Sequence, residues 1–383
     1  MSGGVLYYVQ HLMGIGHQRR AAAVSRALCR QGLTVTYVSG GFPIPDLDVG
    51  PADFVQLPPA RSADMRYHTL LGENGEAVTD TWRAARRDQL LQLLHERCPR
   101  ALLVETYPFG RKLMRFELDP LLQAAHGQTP RPLVLCSIRD ILEQWPRPGR
   151  YDAIVAAVQN YFDAVLVHGD PAVVPLEATF PRVDDIRDKL HYTGYVLNRD
   201  KAGGSADVGK GEVVVSAGGG AFGQHVLRTA LRAREYSILA HRPWRILVGS
   251  NVAPEDFDQL KTMASEGVIV ERNRPDFARL LANCALSISQ GGYNTVLEVI
   301  AAGARAVVVP YADDSEQEQA VRARVLAAQG LVHVVDDQKL TAETLADAVD
   351  RAWNGQGPNA IEIDMDGANG TARLMKRMLE QSA

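Results

Sequence analysis

Residues 289–323, SQGGYNTVLEVIAAGARAVVVPYADDSEQEQAVRA, place two glycines (Gly291, Gly292), an amide (Asn294) and a carboxylate (Glu298) at the mouth of an apolar helix. A strand of buried type follows, then a polar loop with two Glu-Gln pairs, Glu316–Gln317 and Glu318–Gln319. A carboxylate on the first turns of a helix accepts two hydrogen bonds from vicinal hydroxyls, a bidentate geometry that apolar residues do not supply. A glycine turn ahead of the helix offers unpaired N–H groups and the positive end of the helix dipole to an anion. Two further strand–loop–helix units carry glycines. YYVQHLMGIGHQRRAAAVSRAL sets Gly14, Gly16 and His17 between strand and helix, and VVVSAGGGAFGQHVLRTAL does the same with Ser216, Gly218, Gly219 and Gly220. Each is either a phosphate cradle or simply a tight turn. A nicotinamide site is disfavoured. The third glycine of a G-x-G-x-x-G fingerprint falls on Arg19, and the second strand ends in VSGG with no acid for a ribose.

The elements that must hold these residues alternate between strand and helix patterns. VLYYVQ (5–10), LTVTYVSGG (33–41), ALLVETY (101–107), RPLVLCSI (131–138), DAVLVHG (163–169) and HYTGYV (191–196) read as strands. Helical patterns lie at 18–32, closed by Gly32, at 88–98 and at 151–162. This is the βαβ rhythm of a parallel sheet. NRDKAGGSADVGKGE (198–212) is polar and glycine-rich, and the rhythm then restarts with VVVSAGGG, WRILVGS, GVIVER, CALSISQGG, RAVVVPY and GLVHVV. The expected plan is an N-terminal domain over 1–197, a linker over 198–211 and a C-terminal domain over 212–366. An amphipathic helix over 367–383 then packs back on the first half. Two doubly wound domains would face a cleft at the carboxyl ends of their sheets, where such folds bind ligands.

Length and composition agree. A chain of 383 residues exceeds one ordinary core. A formal net charge of −4 argues against a global nucleic-acid binder. Cys29, Cys98, Cys136 and Cys284 are far apart, as expected of thiols in a reducing compartment. Neither a signal peptide nor an apolar run near ~20 residues is read, so a cytoplasmic location is expected.

QGGYNTVLE (290–298) resembles, position for position, the core of the donor-binding signature of glycosyltransferases with the two-domain GT-B fold. In the plant secondary-product enzymes of family 1 that core reads H-C-G-W-N-S-T-L-E. Gly292, Asn294 and Glu298 match, Tyr293 and Thr295 are like-for-like replacements, and EQAVRA (318–323) resembles the D-Q-x-x-N-A that closes the signature. The same region looks like that of the MurG-like enzymes of family 28. Gln290 stands where the plant signature has His, and Arg322 where it has Asn.

The resemblance implies a metal-independent, inverting transfer of a sugar from a nucleoside diphosphate sugar, with uridine the expected base and no resident cofactor. Glu298 would clasp the ribose, and Gly291, Gly292, Gly16 and the Ser216–Gly220 backbone would take the diphosphate. Glu318 and Gln319 would meet the sugar, and the backbone of Asn273 and Arg274 the base. His17 falls where both families carry a general base, and Glu105, in LLVETYPFG, where the plant enzymes carry the acid that orients it. His11 is the rival base in the same loop and, with Arg139 and Asp140, an expected acceptor-side residue. Asp313 and Asp314 are expected as solvated charges rather than a metal site. The acceptor would be a small molecule or a lipid-linked sugar, and the cluster Arg83, Arg86, Arg87 is either a membrane-facing patch or a solvated helix face. A monomer or homodimer is expected. The alternatives are a nucleotide-sugar 2-epimerase of the same architecture and a non-catalytic nucleotide-sugar binder.

Overall fold

The computed structural model describes residues 4–63, 68–142, 149–197, 206–217, 223–311, 317–359 and 362–382. The chain divides into two compact units, Met1–Asn198 with Ile363–Ala383, and Arg199–Glu362.

The first unit runs β1 (Val5–Val9), α1 (Gly16–Arg30), β2 (Val35–Ser39), β3 (Asp53–Gln56) and a small antiparallel pair, β4 (Arg61–Ser62) with β5 (Leu70–Leu71). It continues through α2 (Asp80–Arg97), β6 (Ala101–Glu105), α3 (Arg115–His126), β7 (Leu133–Arg139), α4 (Arg150–Tyr161), β8 (Ala164–His168) and β9 (Leu190–Tyr192). A seven-stranded parallel sheet has the order β3-β2-β1-β6-β7-β8-β9. VLYYV, ALLVE and AVLVH are buried at every position, the pattern of strands covered by helices on both faces. Alternation along β1 sorts the two faces. Leu6 and Tyr8 join Leu90, Leu94 and Leu118 of α2 and α3, while Val5, Tyr7 and Val9 join Val24 and Leu28 of α1.

The second unit repeats the plan with β10 (Val213–Ser216), α5 (Gln224–Ala233), β11 (Trp244–Val248), α6 (Pro254–Thr262), β12 (Val268–Arg272) and α7 (Phe277–Asn283). Then come β13 (Leu286–Ser289), α8 (Tyr293–Ala301), β14 (Ala306–Val308), α9 (Glu318–Ala328), β15 (His333–Val334) and α10 (Ala342–Asn354). Its six parallel strands are ordered β12-β11-β10-β13-β14-β15. In each sheet the order reverses once, between β1 and β6 and between β10 and β13, so the loops leaving those strands diverge and open a crevice at their carboxyl ends.

The chain then returns to the first unit. In α11 (Gly367–Gln381), Ala372, Met375 and Leu379 lie on one helical face and join the cluster of Val24 and Leu28 of α1. The helix starts so close to the segment after β9 that a Cβ on Gly370 would stand 2.2 Å from the carbonyl oxygen of Thr193, an approach only glycine permits.

Candidate active site

At the switch point of the first unit, β1 delivers the chain into Gln10–Ile15 and α1 begins at Gly16. His17 is therefore in the first helical turn rather than in the loop ahead of it. Its Nδ1 lies 2.9 Å from Oε1 of Glu105, the last residue of β6. Glu105 is wholly enclosed, whereas the His17 side chain keeps 18 % of its exposure and is reachable from solvent. Burial opposes the charge on Glu105, but the Arg20 guanidinium and hydrogen bonds from His17 and Ser137 hold its carboxyl far below the usual carboxylate range. An ionised carboxylate only accepts, so the His17 proton sits on Nδ1 and the Nε2 lone pair is left available. Burial, then the charges of Arg139 and Arg111, push the His17 pKa well down, and the ring is neutral at neutral pH.

The structure adds partners that the sequence did not announce. Arg20, one turn after His17, donates to Glu105 Oε1. Ser137 Oγ donates to Glu105 Oε2 at 2.7 Å, and Ser137 Oγ is 2.8 Å from Nε2 of the buried His168. Immediately after Glu105 the backbone passes through Thr106 at φ +72°, a left-handed conformation that costs a β-branched residue about 1–3 kcal/mol. The Thr106 N–H donates to the Ser137 carbonyl at 2.7 Å and helps hold it there. The loop before α1 is braced from beneath by Arg86. Its guanidinium donates to Glu117 (2.7 and 3.0 Å), to the Gly40 carbonyl (2.8 Å) and to Oε1 of Gln10 (2.7 Å). The expectation that Arg86 belongs to a surface basic cluster is thus corrected: it is fully buried against Glu117, whose charge offsets its desolvation. Arg83 and Arg87 remain at the surface, paired with Asp80 and Asp88.

His11 is nearly enclosed. Its ring lies over Gly41, where a Cβ would fall 2.2 Å from Nδ1. Burial, then Arg111, lower its pKa to about 4, and among the described residues no carboxylate pairs with it. The Arg139 guanidinium crosses the start of α1, with Nη2 3.0 Å from where a Cβ on Gly16 would be. Asp140, expected on the acceptor side, is turned inward: it is wholly buried and accepts from the Tyr195 hydroxyl (2.9 Å) and the Ile141 N–H (2.9 Å). Its carboxylate therefore frames the loop.

At the second switch point the material is main chain. Ser289 ends β13 beside Ser216 of β10, and the Gln290 N–H donates to the Ser216 carbonyl at 3.2 Å. Gly291 adopts φ +86°, and any Cβ there would fall 2.5 Å from Val308 Cγ1. Gly292 caps α8, with open space where its side chain would be. Neither α8 nor α5 has an acid in its first turn, so their dipoles are unopposed at these ends. Tyr293 is buried, Asn294 is exposed, Thr295 is half-buried, and Glu298 stands half-buried in the second turn of α8. The Ser216 and Ser289 hydroxyls are buried without a hydrogen-bond partner among the described residues. Gly218, Gly219, Gly220, Asp313, Asp314 and Glu316 lie outside the described residues.

Other expected donor residues are committed to neighbours. Glu318 and Gln319 open α9 instead of lying in a loop. Glu318 pairs with Arg322 (2.8 Å), whose guanidinium lies 4.9 Å from the centre of the Tyr293 ring, and Gln319 Oε1 accepts from the Tyr311 N–H (3.1 Å). The Arg274 side chain forks onto Asp276 (2.8 and 2.8 Å). The Asn273 N–H, part of the backbone expected at a base, donates instead to the Val248 carbonyl (3.0 Å).

Residues 217–378 match the glycosyltransferase family 28 C-terminal domain, a span that holds the β13–α8 turn, Glu298 and the start of α9. The UDP-N-acetylglucosamine--N-acetylmuramyl-(pentapeptide) pyrophosphoryl-undecaprenol N-acetylglucosamine transferase of Rhizobium etli (strain CIAT 652) is 29% identical over 145 residues, 36% of this chain. The match spans 39% of that relative's length. CalG4, the calicheamicin glycosyltransferase, shares the fold with a TM-score of 0.62 at 16% identity, over 100% of this chain and 95% of that one. Acinetobacter baumannii MurG does so with a TM-score of 0.61 at 16% identity, over 98% and 100%. The chain resembles GT-B glycosyltransferases of the MurG-like and UDP-glycosyltransferase kinds.

Within this GT-B fold, Arg20 was the most legible of the missed residues, since a residue three positions after His17 shares its helical face. Ser137 is the in-register neighbour of Glu105 on β7, a relation visible only once the strand order is known. Among the described residues no group of three or more His, Cys, Asp and Glu is placed to hold a metal ion, and no helix is long and apolar enough to cross a membrane.

Proposed function

We propose that this chain is an inverting glycosyltransferase that moves a sugar from a nucleoside diphosphate sugar, with UDP the expected carrier, to a hydroxyl of a small-molecule or lipid-linked acceptor. The observation that carries it is the His17–Glu105 pair: a neutral imidazole, its Nδ1 proton held by a buried carboxylate at 2.9 Å, at the switch point of a GT-B first unit. In this reading His17 Nε2 takes the acceptor's hydroxyl proton as that oxygen bonds to the anomeric carbon. The bond from that carbon to the diphosphate breaks on the opposite face, and the diphosphate leaves with the electron pair. Glu105 stabilises the imidazolium that forms, a step an unpaired buried ring would resist.

The second unit would hold the donor. Glu298 would accept from the ribose hydroxyls, the α5 and α8 starts and the Ser216 hydroxyl would meet the diphosphate, and the Arg274 peptide the base. Gln319 would reach the sugar with its NH2, its carbonyl oxygen being taken by Tyr311. Glu318, neutralised by Arg322, would accept there only while keeping that pair. No resident cofactor or metal enters this scheme, and helix dipoles and N–H groups carry the leaving charge. Met13 and Ile15, 44% and 38% exposed on the loop leading to His17, favour an acceptor with an apolar portion.

The test is incubation of the pure protein with a panel of UDP-sugars, with and without acceptors. UDP release that depends on acceptor supports transfer. Isomerisation of the donor alone would replace it with the epimerase, and donor binding without turnover with the non-catalytic binder.

A further inference from the structure

Behind the His17–Glu105 pair lies a chain of buried polar groups. Glu105 Oε2 accepts from Ser137 Oγ at 2.7 Å, Ser137 Oγ is 2.8 Å from His168 Nε2, and His168 Nδ1 is 2.9 Å from Thr193 Oγ1. Glu105, Ser137 and His168 are each 0% exposed, and Thr193 is 4% exposed. These residues sit on β6, β7, β8 and just beyond β9, so the chain crosses the sheet sideways from the base to the edge strand. Thr371 of α11, also buried, closes the far end with Oγ1 3.5 Å from His168 Nδ1 while donating to the Gly367 carbonyl at 2.8 Å.

The polarity of this chain is forced. A charged Glu105 accepts and cannot donate, so the Ser137 proton points at Oε2. The Ser137 oxygen then accepts from Nε2–H of His168, which leaves Nδ1 of His168 to accept from the Thr193 hydroxyl at 2.9 Å, nearer than that hydroxyl's other acceptor, the Val167 carbonyl at 3.4 Å. Every donor thus faces the carboxylate, and bonds aligned head to tail polarise one another in a low-dielectric interior. Four polar groups buried in a sheet are costly unless each is satisfied, and this direction satisfies them all. Packing alone would fill the same space with apolar side chains.

We infer that Ser137 and His168 are positioning residues: they fix the Glu105 carboxylate so that His17 keeps its proton on Nδ1 and presents Nε2 as the base, an inference that rests on the transfer reading for its catalytic consequence. Ser137→Ala removes the donor to Oε2 with little change of volume. His168→Leu removes the support of Ser137, whereas His168→Gln keeps an N–H donor in the same region.

The experiment reads the His17 tautomer from imidazole nitrogen-15 shifts in the full-length protein at pH 7.5, the resonance being assigned by its absence in His17→Gln. Wild type is expected as the Nδ1–H form. Ser137→Ala and His168→Leu are expected as tautomer mixtures with kcat lowered roughly tenfold, KM for the donor unchanged, and His168→Gln close to wild type. An unchanged His17 tautomer in Ser137→Ala overturns the inference, whatever happens to melting temperature or kcat. Absence of turnover by the wild-type protein with every donor and acceptor would overturn the transfer reading instead, while the tautomer result would still decide whether Ser137 and His168 set the state of His17.

Discussion

At the end of β6 a buried carboxylate is met by an imidazole, a guanidinium and a serine hydroxyl. At the end of β13, by contrast, the chain passes through two glycines into a helix whose first turn bears no acid. The two crevices occupy equivalent places in equivalent sheets, yet one is finished and the other is waiting. The first unit balances its own charges, Glu105 against Arg20 and Glu117 against Arg86, and so holds the His17 imidazole in one protonation state. The second unit leaves two helix starts without an opposing acid and two buried serine hydroxyls without partners among the described residues, a setting that a bound anion would complete. In the proposed reading, preorganisation belongs where a proton is to be taken, and main-chain donors belong where charge is to be brought in by the substrate.

The sharpest way to break this contrast is to remove one acid from each unit. Glu105→Ala leaves Arg20 buried without its partner carboxylate and is expected to cost about 3–5 kcal/mol of stability, read from denaturant unfolding. Glu298→Ala, at a half-buried position, is expected to cost less stability than Glu105→Ala while weakening UDP-sugar affinity by about a hundredfold or more, read by calorimetry. Equal stability losses in the two variants would refute the division of labour. His17→Ala comes next: about a hundredfold lower kcat with donor affinity intact, measured by UDP release.

Acidification should also tell the units apart. Burial, then Arg111, lowers His11 to about 4, burial, then Arg20, lowers His168 to about 3, and His17 is pushed down in the same direction. All three stay neutral in the fold but take protons near pH 6.5 when unfolded. Their stabilisation is therefore complete above that pH and is lost as pH falls toward the folded values, by about 1.4 kcal/mol per pH unit for each histidine. Hydrogen-exchange protection of β1 and β6 should thus fall between pH 7 and 5 more steeply than that of β10 and β13. The smallest effect is expected for Ser216→Ala: stability within about 0.5 kcal/mol of wild type, because its hydroxyl makes no hydrogen bond among the described residues, and donor affinity down only a few-fold.

Much of this was legible in the residue order. Except for β3, an exposed edge strand reading DFVQ that gives no apolar run, the strands of both sheets announced themselves as short apolar runs, and the Gly292–Glu298 helix by its glycines and its acid. What escaped was whatever depends on strand order. Ser137 and His168 look like ordinary strand residues until β7 and β8 are seated beside β6, and Arg86 looks like one of a trio of surface cations until Glu117 is found beneath it. α3 lies outside the helical patterns read from the sequence and contains Pro120, whose missing N–H leaves only one carbonyl of the preceding turn to be satisfied elsewhere. Glu318 and Gln319 read as loop residues because α9 starts without a side-chain cap.

The return of α11 has a consequence for how the protein is made. The layer that covers one face of the first sheet includes Ala372, Met375 and Leu379, which leave the ribosome only after every strand of the second unit. During synthesis the half that emerges first must therefore wait, its apolar flank uncovered, while the later half is free to fold at once. Expressed as residues 1–198 alone it would carry that exposed flank permanently, and supplying a peptide of residues 363–383 in trans should restore its solubility.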